Sequence, residues 1–286
     1  SIVTNVDYEH LDYYKNFKNL KNFFLKFIEK TPKIGKAIIC LDDKNLKDII
    51  KKSKNKSYLT YGFNQESDYQ ILKVKKEKTS SKFDLLVKVS GKSSFKIKNI
   101  IINLLGDHNV SNAAATFALG LNLGIKIKIL KDALKQFSGI QRRFTKVFSV
   151  KNKDFYDDYA HHPTEIKAVL NGAREVCGKR EIISVFQPHR FSRVKLLKEE
   201  FAKSFKLSDK VVLCPVYSAG EKIDRNFNQY QFSKLIGEKS KVQVINVKNQ
   251  NEMKYFFKKN LLDNEMIICM GAGSISNWIR QIVKEL

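Results

Sequence analysis

No apolar run in this sequence is long enough to cross a bilayer. The longest, Ile100-Ile-Ile-Asn-Leu-Leu105 and Glu265-Met-Ile-Ile-Cys-Met270, fall far short of the roughly 20 residues a spanning helix needs. A basic, then apolar, then small-residue leader is also missing from the start of the chain. The first residue is Ser1 rather than Met, and Ile2-Val-Thr-Asn-Val6 already reads as a buried strand, so the N-terminus is expected to be a cut inside a domain. Cysteine is scarce: Cys40, Cys177, Cys214 and Cys269 are widely spaced, with no pair at metal-ligand or redox spacing. That excludes a disulfide framework and predicts reduced core thiols and a cytoplasmic location. No internal repeat and no low-complexity linker interrupts the 286 residues, and a hydrophobic content of 43% with 11% aromatics excludes disorder.

Arginine and histidine are the other scarcities. The chain has five His, and eight Arg beside 45 Lys. The net charge of +24 raises nucleic-acid binding as a function class. Against it, the lysines are spread over the whole chain without interleaved aromatics and almost without arginine, so solvated lysine-rich faces explain them better and no nucleic-acid partner is expected. Where a sequence writes nearly every cation as Lys, a retained Arg marks a place for a planar fork on carboxylate or phosphate.

The apolar pattern divides the chain near Gly139. Before it, residues 15–30 repeat Phe17, Leu20, Phe24, Phe27 and Ile28 at helical spacing. Lys36-Ala-Ile-Ile-Cys-Leu41 is a short buried strand, and the alternation from Ser57 to Lys98 predicts an antiparallel sheet. Helices return at 109–123 and 128–137, with Gly124 as the stop between them. After Gly139, strand candidates 145–150, 154–158, 181–186, 210–216, 242–247 and 265–270 alternate with helices 163–177, 193–206, 229–237, 250–260 and 274–285. Such alternation predicts an α/β fold with a doubly wound, mostly parallel sheet.

All five His, and four of the Arg, fall in a handful of short segments. Asp157-Asp-Tyr-Ala-His-His-Pro163 follows a strand and opens a helix, and Gln187-Pro-His-Arg-Phe-Ser-Arg193 holds the same place after the next strand. A parallel sheet receives its ligands there, at strand carboxyl ends facing helix N-termini. Arg190 and Arg193, three apart at a helix start, are expected to converge on one anion. Gly139-Ile-Gln-Arg-Arg-Phe144 sits at the domain boundary, where Arg142 and Arg143 suit phosphate. In Gly106-Asp-His-Asn-Val-Ser-Asn112, Asn109 and Asn112 share a helix face and offer amides suited to a purine edge, or simply cap the helix. His10, among Asp7, Glu9 and Asp12, is compatible with a divalent cation, although Mg²⁺ prefers oxygen and a polar loop is the plainer reading. Gly271-Ala-Gly-Ser-Ile275 is short of a dinucleotide fingerprint, so tight strand-to-helix packing is its default.

Taken in order, these segments, with Val216-Tyr-Ser-Ala-Gly-Glu221, resemble the Mur ligase family over essentially the whole chain. The resemblance implies that residues 1–139 are the C-terminal part of a central ATP-binding domain with a mixed sheet, and residues 140–286 a Rossmann-like C-terminal domain. It implies an enzyme that uses ATP and Mg²⁺ to join L-alanine to UDP-N-acetylmuramate through an acyl phosphate. Its site residues would be His10 for the metal, and Asn109, Asn112, Arg143 and Asp158 for the nucleotide. Tyr159, His161, Arg190 and Arg193 would hold the amino acid, with Arg143 and His161 catalytic. The sister reaction, reattaching a recycled peptide to the same nucleotide sugar, is the nearest rival, and Gln187-Pro-His-Arg190 argues against it. No Gly-rich segment ending in Gly-Lys-Ser/Thr occurs in the 286 residues, so the family's P-loop is missing and the chain alone is expected to be inactive. Glu9 stands where the family more often has Asp.

Overall fold

The computed structural model describes residues 1–286 except 33, 56, 78 and 92, and Asp12 through its backbone only. The chain forms two compact units, Ser1–Ser138 and Gly139–Leu286.

In the first unit, β1 (Ile2–Val3), β2 (Ala37–Cys40), β3 (Tyr58–Gly62), β4 (Tyr69–Lys76), β5 (Ser81–Val87) and β6 (Phe95–Ile102) form one sheet in chain order. Around it lie α1 (Leu11–Tyr14), α2 (Phe17–Glu29), α3 (Lys44–Lys52), α4 (Asp107–Asn122) and α5 (Ile127–Gln136). The sheet is mixed. β1 to β4 pair in parallel and β4, β5 and β6 antiparallel, so the expectation of antiparallel pairing throughout 57–98 is corrected at β3–β4. Only two residue pairs, Tyr61 with Tyr69 and Gly62 with Gln70, join those strands; β4 starts beside the end of β3 and runs past it, so no long crossover is needed. Asp42 sets the exit: its carboxylate accepts the N–H groups of Phe63 and Asn64 at 2.9 Å, and a Cβ at Gly62 would lie 2.5 Å from Asp42 Oδ2. β1 is shorter than the expected strand 2–6. Of the α2 stripe, Leu20 and Ile28 are buried and Phe27 is 52% exposed.

The second unit contains β7 (Thr145–Val150), β8 (Lys153–Asp158), α6 (Pro163–Cys177), β9 (Glu181–Phe186), α7 (Phe191–Leu196), α8 (Lys198–Ala202), β10 (Lys210–Leu213), α9 (Gln229–Ser240), β11 (Gln243–Asn246), α10 (Gln250–Asn260), β12 (Glu265–Met270) and α11 (Ile275–Ile282). The strand order is β11-β10-β9-β12-β8-β7. Every neighbouring pair is parallel except β7–β8, a hairpin whose turn residues Lys151 and Asn152 both have positive φ, the backbone a tight hairpin requires. One core gathers residues of α6, α7, α8 and α9, and a second those of α10 and α11, so helices cover both faces as a doubly wound sheet demands.

The single helix expected over 193–206 is two. Leu197 (φ −113°) ends α7, and beyond Ala202 the Ser240 hydroxyl donates to the Ala202 carbonyl and accepts from the Phe205 amide. A side chain from α9 thereby takes the bonds that would continue the helix. Because β12 lies between β8 and β9, the loops after these three strands open at one edge, the switch point where such sheets bind ligands.

Candidate functional site

Asp157 and Asp158 are the last two residues of β8, and strand alternation sends them to opposite faces. Asp157 Oδ2 accepts from Ser276 Oγ at 2.6 Å and from Arg280 Nη2 at 3.0 Å, tying β8 to α11. Its Oδ1 is buried without a hydrogen-bond partner among the described residues. Asp158, only 2% exposed, accepts the Phe144 N–H on Oδ2 and the Ala160 N–H on Oδ1, both at 2.7 Å. Burial pushes its carboxyl up to about 6, and the two amides and the nearby Arg143 charge only partly oppose that.

The two arginines of the 139–144 segment part company. Arg142, in the left-handed region at φ 61°, donates from Nη2 to the Gly271 carbonyl at 2.7 Å and so braces the loop after β12. Arg143 pairs with Glu165 at 3.6 Å and keeps 55% of its side chain exposed. Both guanidinium carbons lie over the Tyr159 ring, at 4.7 and 5.6 Å from its centre, which is cation–π distance. An anion is therefore available to Arg143, whereas Arg142 acts in packing.

The His-His-Pro turn is organised by Glu165. Its Oε2 accepts the N–H groups of His161 at 3.0 Å and His162 at 3.2 Å, closing a capping box with His162 at the start of α6, where Pro163 fills the first helical position. The same oxygen is 3.3 Å from His161 Nδ1, and that nitrogen is 2.9 Å from the Tyr159 carbonyl. His161 packs edge-on against Tyr159 and lies 5.6 Å from His189, centre to centre.

After β9, Gln187 staples the neighbouring strand and helix: its amide donates to the Met270 carbonyl, Nε2 donates to Ser274 Oγ, and Oε1 accepts the Ile275 N–H at 3.0 Å. A Cβ at Gly271 would lie 2.8 Å from the Gln187 carbonyl, and one at Gly273 would lie 2.5 Å from Tyr217 Cγ. The Gly271–Ile275 segment is thus a close-packed strand-to-helix joint, its default reading. Arg190 has φ 69°, and its N–H donates to the Tyr217 carbonyl. Arg193 Nη1 donates to His189 Nδ1 at 3.0 Å and to the His189 carbonyl at 3.1 Å. Burial, then Arg193, pull the His189 imidazole down to about 4. Tyr217 stacks on His189, and Glu221 caps α7 through the Ser192 N–H and hydroxyl. Gln187, His189, Tyr217 and Glu221 were not among the expected site residues, although each lies in a segment carrying the family resemblance.

In the first unit, Asn109 Nδ2 donates to the Leu105 carbonyl at 2.7 Å, which leaves its amide oxygen available as an acceptor. Asn112, three residues on, is exposed. His10 is exposed, has φ 54° and starts α1 without a side-chain cap, while Asp7 accepts its neighbour's N–H. The Asp12 carboxylate lies outside the described residues. Among the described residues no group of three or more His, Cys, Asp or Glu is placed to hold a metal ion.

Residues 1–120 match the profile of the Mur ligase middle domain, and residues 142–273 that of the Mur ligase, glutamate ligase domain. The chain belongs to the Mur ligase family. Among its relatives, the UDP-N-acetylmuramate–L-alanine ligase of Pelagibacter ubique is 48% identical over 99% of this chain and 61% of the relative. The crystal structure of UDP-N-acetylmuramate-alanine ligase from Thermotoga maritima superposes with a TM-score of 0.73 at 26% identity, over 99% of this chain and 58% of that one. The MurF ligase of Thermotoga maritima, solved in complex with ADP, shares the fold at a TM-score of 0.70 and 16% identity, over 99% of this chain and 60% of that one. The chain thus spans about three-fifths of the length of the curated relatives it matches.

Proposed function

We propose that this chain is part of an ATP-dependent ligase that joins L-alanine to UDP-N-acetylmuramate in cytoplasmic peptidoglycan-precursor synthesis. Residues 1–139 would be the C-terminal part of its central ATP-binding domain and residues 140–286 its C-terminal domain. The observation that carries the reading is the convergence of Arg143, Tyr159, His161, His189 and Arg193 at the carboxyl edge of a doubly wound sheet, in a chain 48% identical to a ligase of that name. ADP in a relative of the same fold supports ATP as the co-substrate.

In this reaction the γ-phosphoryl group passes to the lactyl carboxylate, and the alanine amine then displaces phosphate from the acyl phosphate. Charge builds first on phosphoryl oxygens and then on a tetrahedral oxyanion, so a half-exposed guanidinium such as Arg143 is the group to stabilise it. Arg190 and Arg193 take the amino-acid carboxylate, Tyr159 and His161 line its place, Asn109 and Asn112 hold adenine, and Asp158 takes the ribose. A divalent cation belongs to the proposal, with His10 as one ligand. The test is phosphate release by the product of the complete coding region. Release that needs both UDP-N-acetylmuramate and alanine supports the reading; release with a murein peptide but not with alanine assigns the sister reaction instead.

A further inference from the structure

His161 and His189 face each other, and their surroundings fix opposite tautomers. His161 Nδ1 lies 2.9 Å from the Tyr159 carbonyl oxygen and 3.3 Å from Glu165 Oε2. Both partners only accept, so Nδ1 carries the hydrogen and, in the neutral ring, Nε2 is the acceptor nitrogen. His189 Nδ1 lies 3.0 Å from Arg193 Nη1. A guanidinium only donates, so here Nδ1 is the acceptor and Nε2 carries the hydrogen. The pocket therefore holds one imidazole that accepts and one that donates.

We infer that His161 is the general base that takes a proton from the ammonium group of the incoming amino acid, and that Glu165 is the positioning residue that keeps His161 in the required tautomer. This rests on the site being the amino-acid pocket of an acyl-phosphate ligase. An amino acid arrives at neutral pH as an ammonium ion, which has no lone pair with which to attack. His161 Nε2 takes one proton and frees the amine. The amine nitrogen forms its bond to the acyl carbon, the bond from that carbon to the phosphate oxygen breaks, and phosphate leaves with the electron pair. The second nitrogen-bound proton goes to the departing phosphate, and the imidazolium returns its proton to solvent.

The Glu165 carboxylate beside Nδ1 favours the imidazolium that forms. Also facing His161 are Tyr159 on its own loop and His189 from the loop after β9, with Arg193, Arg190 and Glu221 around His189; Arg143 faces the far oxygen of Glu165. His189 is the poorer base, because burial and Arg193 hold it down to about 4.

With only five histidines in the chain, ¹⁵N-histidine labelling of the 286-residue protein resolves the tautomers directly. Long-range ¹H–¹⁵N spectra above neutral pH are expected to show His161 as Nδ1–H and His189 as Nε2–H, and His161 found as Nε2–H overturns the inference. In the complete ligase, His161→Gln is expected to lower turnover with alanine by about a hundredfold or more. With hydroxylamine, already unprotonated at neutral pH and so in no need of a base, the loss should be under about tenfold. Glu165→Gln is expected to move the acidic limb of the kcat–pH profile to lower pH and to lower kcat more than it raises the alanine KM, a pattern a purely structural role does not give. Equal losses with both nucleophiles refute the base while leaving the pocket assignment intact. Wild-type complete enzyme that makes no product with alanine, with both tautomers as expected, refutes the pocket assignment itself.

Discussion

Arg193 turns its guanidinium back onto its own loop, with Nη1 3.0 Å from His189 Nδ1 and 3.1 Å from the His189 carbonyl. These contacts set the direction of the guanidinium. Arg193→Lys keeps the charge but not the fork, so it is expected to raise the alanine KM nearly as much as Arg193→Ala. Loss of one charge-assisted hydrogen bond costs about 1.5–3 kcal/mol, or roughly ten- to a hundredfold in affinity. Arg190→Ala should act in the same direction, and the KM for ATP should barely move in any of the three. Steady-state kinetics of the complete ligase with alanine and ATP varied separately decide it; an unchanged alanine KM removes these arginines from the pocket.

Two groups at the site titrate against each other. Burial lifts Asp158 to about 6 from an ordinary 3.8. The folded protein therefore holds that proton more tightly than the unfolded chain does, and the stability Asp158 contributes is present below about 3.8 and lost as pH rises through about 6. That span corresponds to about 3 kcal/mol. His189 runs the other way: burial and Arg193 lower it to about 4 from 6.5, so its contribution is present above about 6.5 and lost as pH falls through about 4. The two trends oppose each other over one window. Asp158→Asn is expected to leave stability climbing more steeply with pH from about 4 to 6.5 than in the wild type, and His189→Gln to leave it falling. Urea unfolding across that window measures the slopes, and wild-type slopes in both variants would show that neither group is linked to folding.

In the second unit the central strands β9, β10 and β12 were legible because they are buried on both faces and so read as continuous apolar runs. β7, β9, β12, α6 and α10 have the expected bounds. The break between α7 and α8 at Leu197 was not legible, and neither was the end of α8, since the serine that takes the helix bonds beyond Ala202 is Ser240, far along the chain. Nor was the parallel step from β3 to β4, which depends on Asp42 catching the chain as it leaves the sheet. At the site, residue type announced the chemistry but not the assignment. Arg142 and Arg143 are neighbours of one type, and only the fold gives the first to the Gly271 carbonyl and leaves the second beside Glu165. Tyr217 carries no charge to mark it, and its place on His189 comes from a bridge between two loops.

Gly273 allows Tyr217 and Gln187 to approach each other. A Cβ there would meet Tyr217 Cγ at 2.5 Å and Gln187 Oε1 at 2.6 Å, and Gln187 is committed to Ser274 and Ile275. Gly273→Ala is expected to cost about 1–3 kcal/mol of stability, the usual range for overpacking. Gln187→Ala should relieve part of that cost in the double variant. Denaturant unfolding of the four proteins tests it, and strict additivity would mean the clash is not with Gln187.

The 286-residue chain is expected to have no ligase activity by itself. Its one Gly-Lys-Ser, Gly91-Lys-Ser93, has Leu86 where a triphosphate-cradling loop needs its first glycine, so these residues hold no Gly-rich P-loop segment. Phosphate release dependent on both UDP-N-acetylmuramate and alanine, measured on the purified chain, would contradict this.

Arg143 is the side chain for which catalysis and stability separate most cleanly. Its side chain is 55% exposed and its ion pair with Glu165 is long, at 3.6 Å. Exposed pairs of this kind contribute about 0–1 kcal/mol, so Arg143→Ala should leave the unfolding midpoint almost unchanged. If the guanidinium meets charge that develops on the transferred phosphoryl group, its loss falls on the transition state rather than on the bound nucleoside. Turnover of the complete ligase is then expected to drop by about a hundredfold or more, as when one oxyanion donor is removed, while the affinity for adenosine, which has no phosphate, stays within about twofold. Arg143→Lys should recover part of the rate, since a point charge still serves a phosphate although the fork is lost. Kinetics and adenosine binding on the same preparations supply both readouts. Equal losses of ATP and adenosine affinity with turnover intact would move Arg143 out of the phosphate site and into the packing around Tyr159.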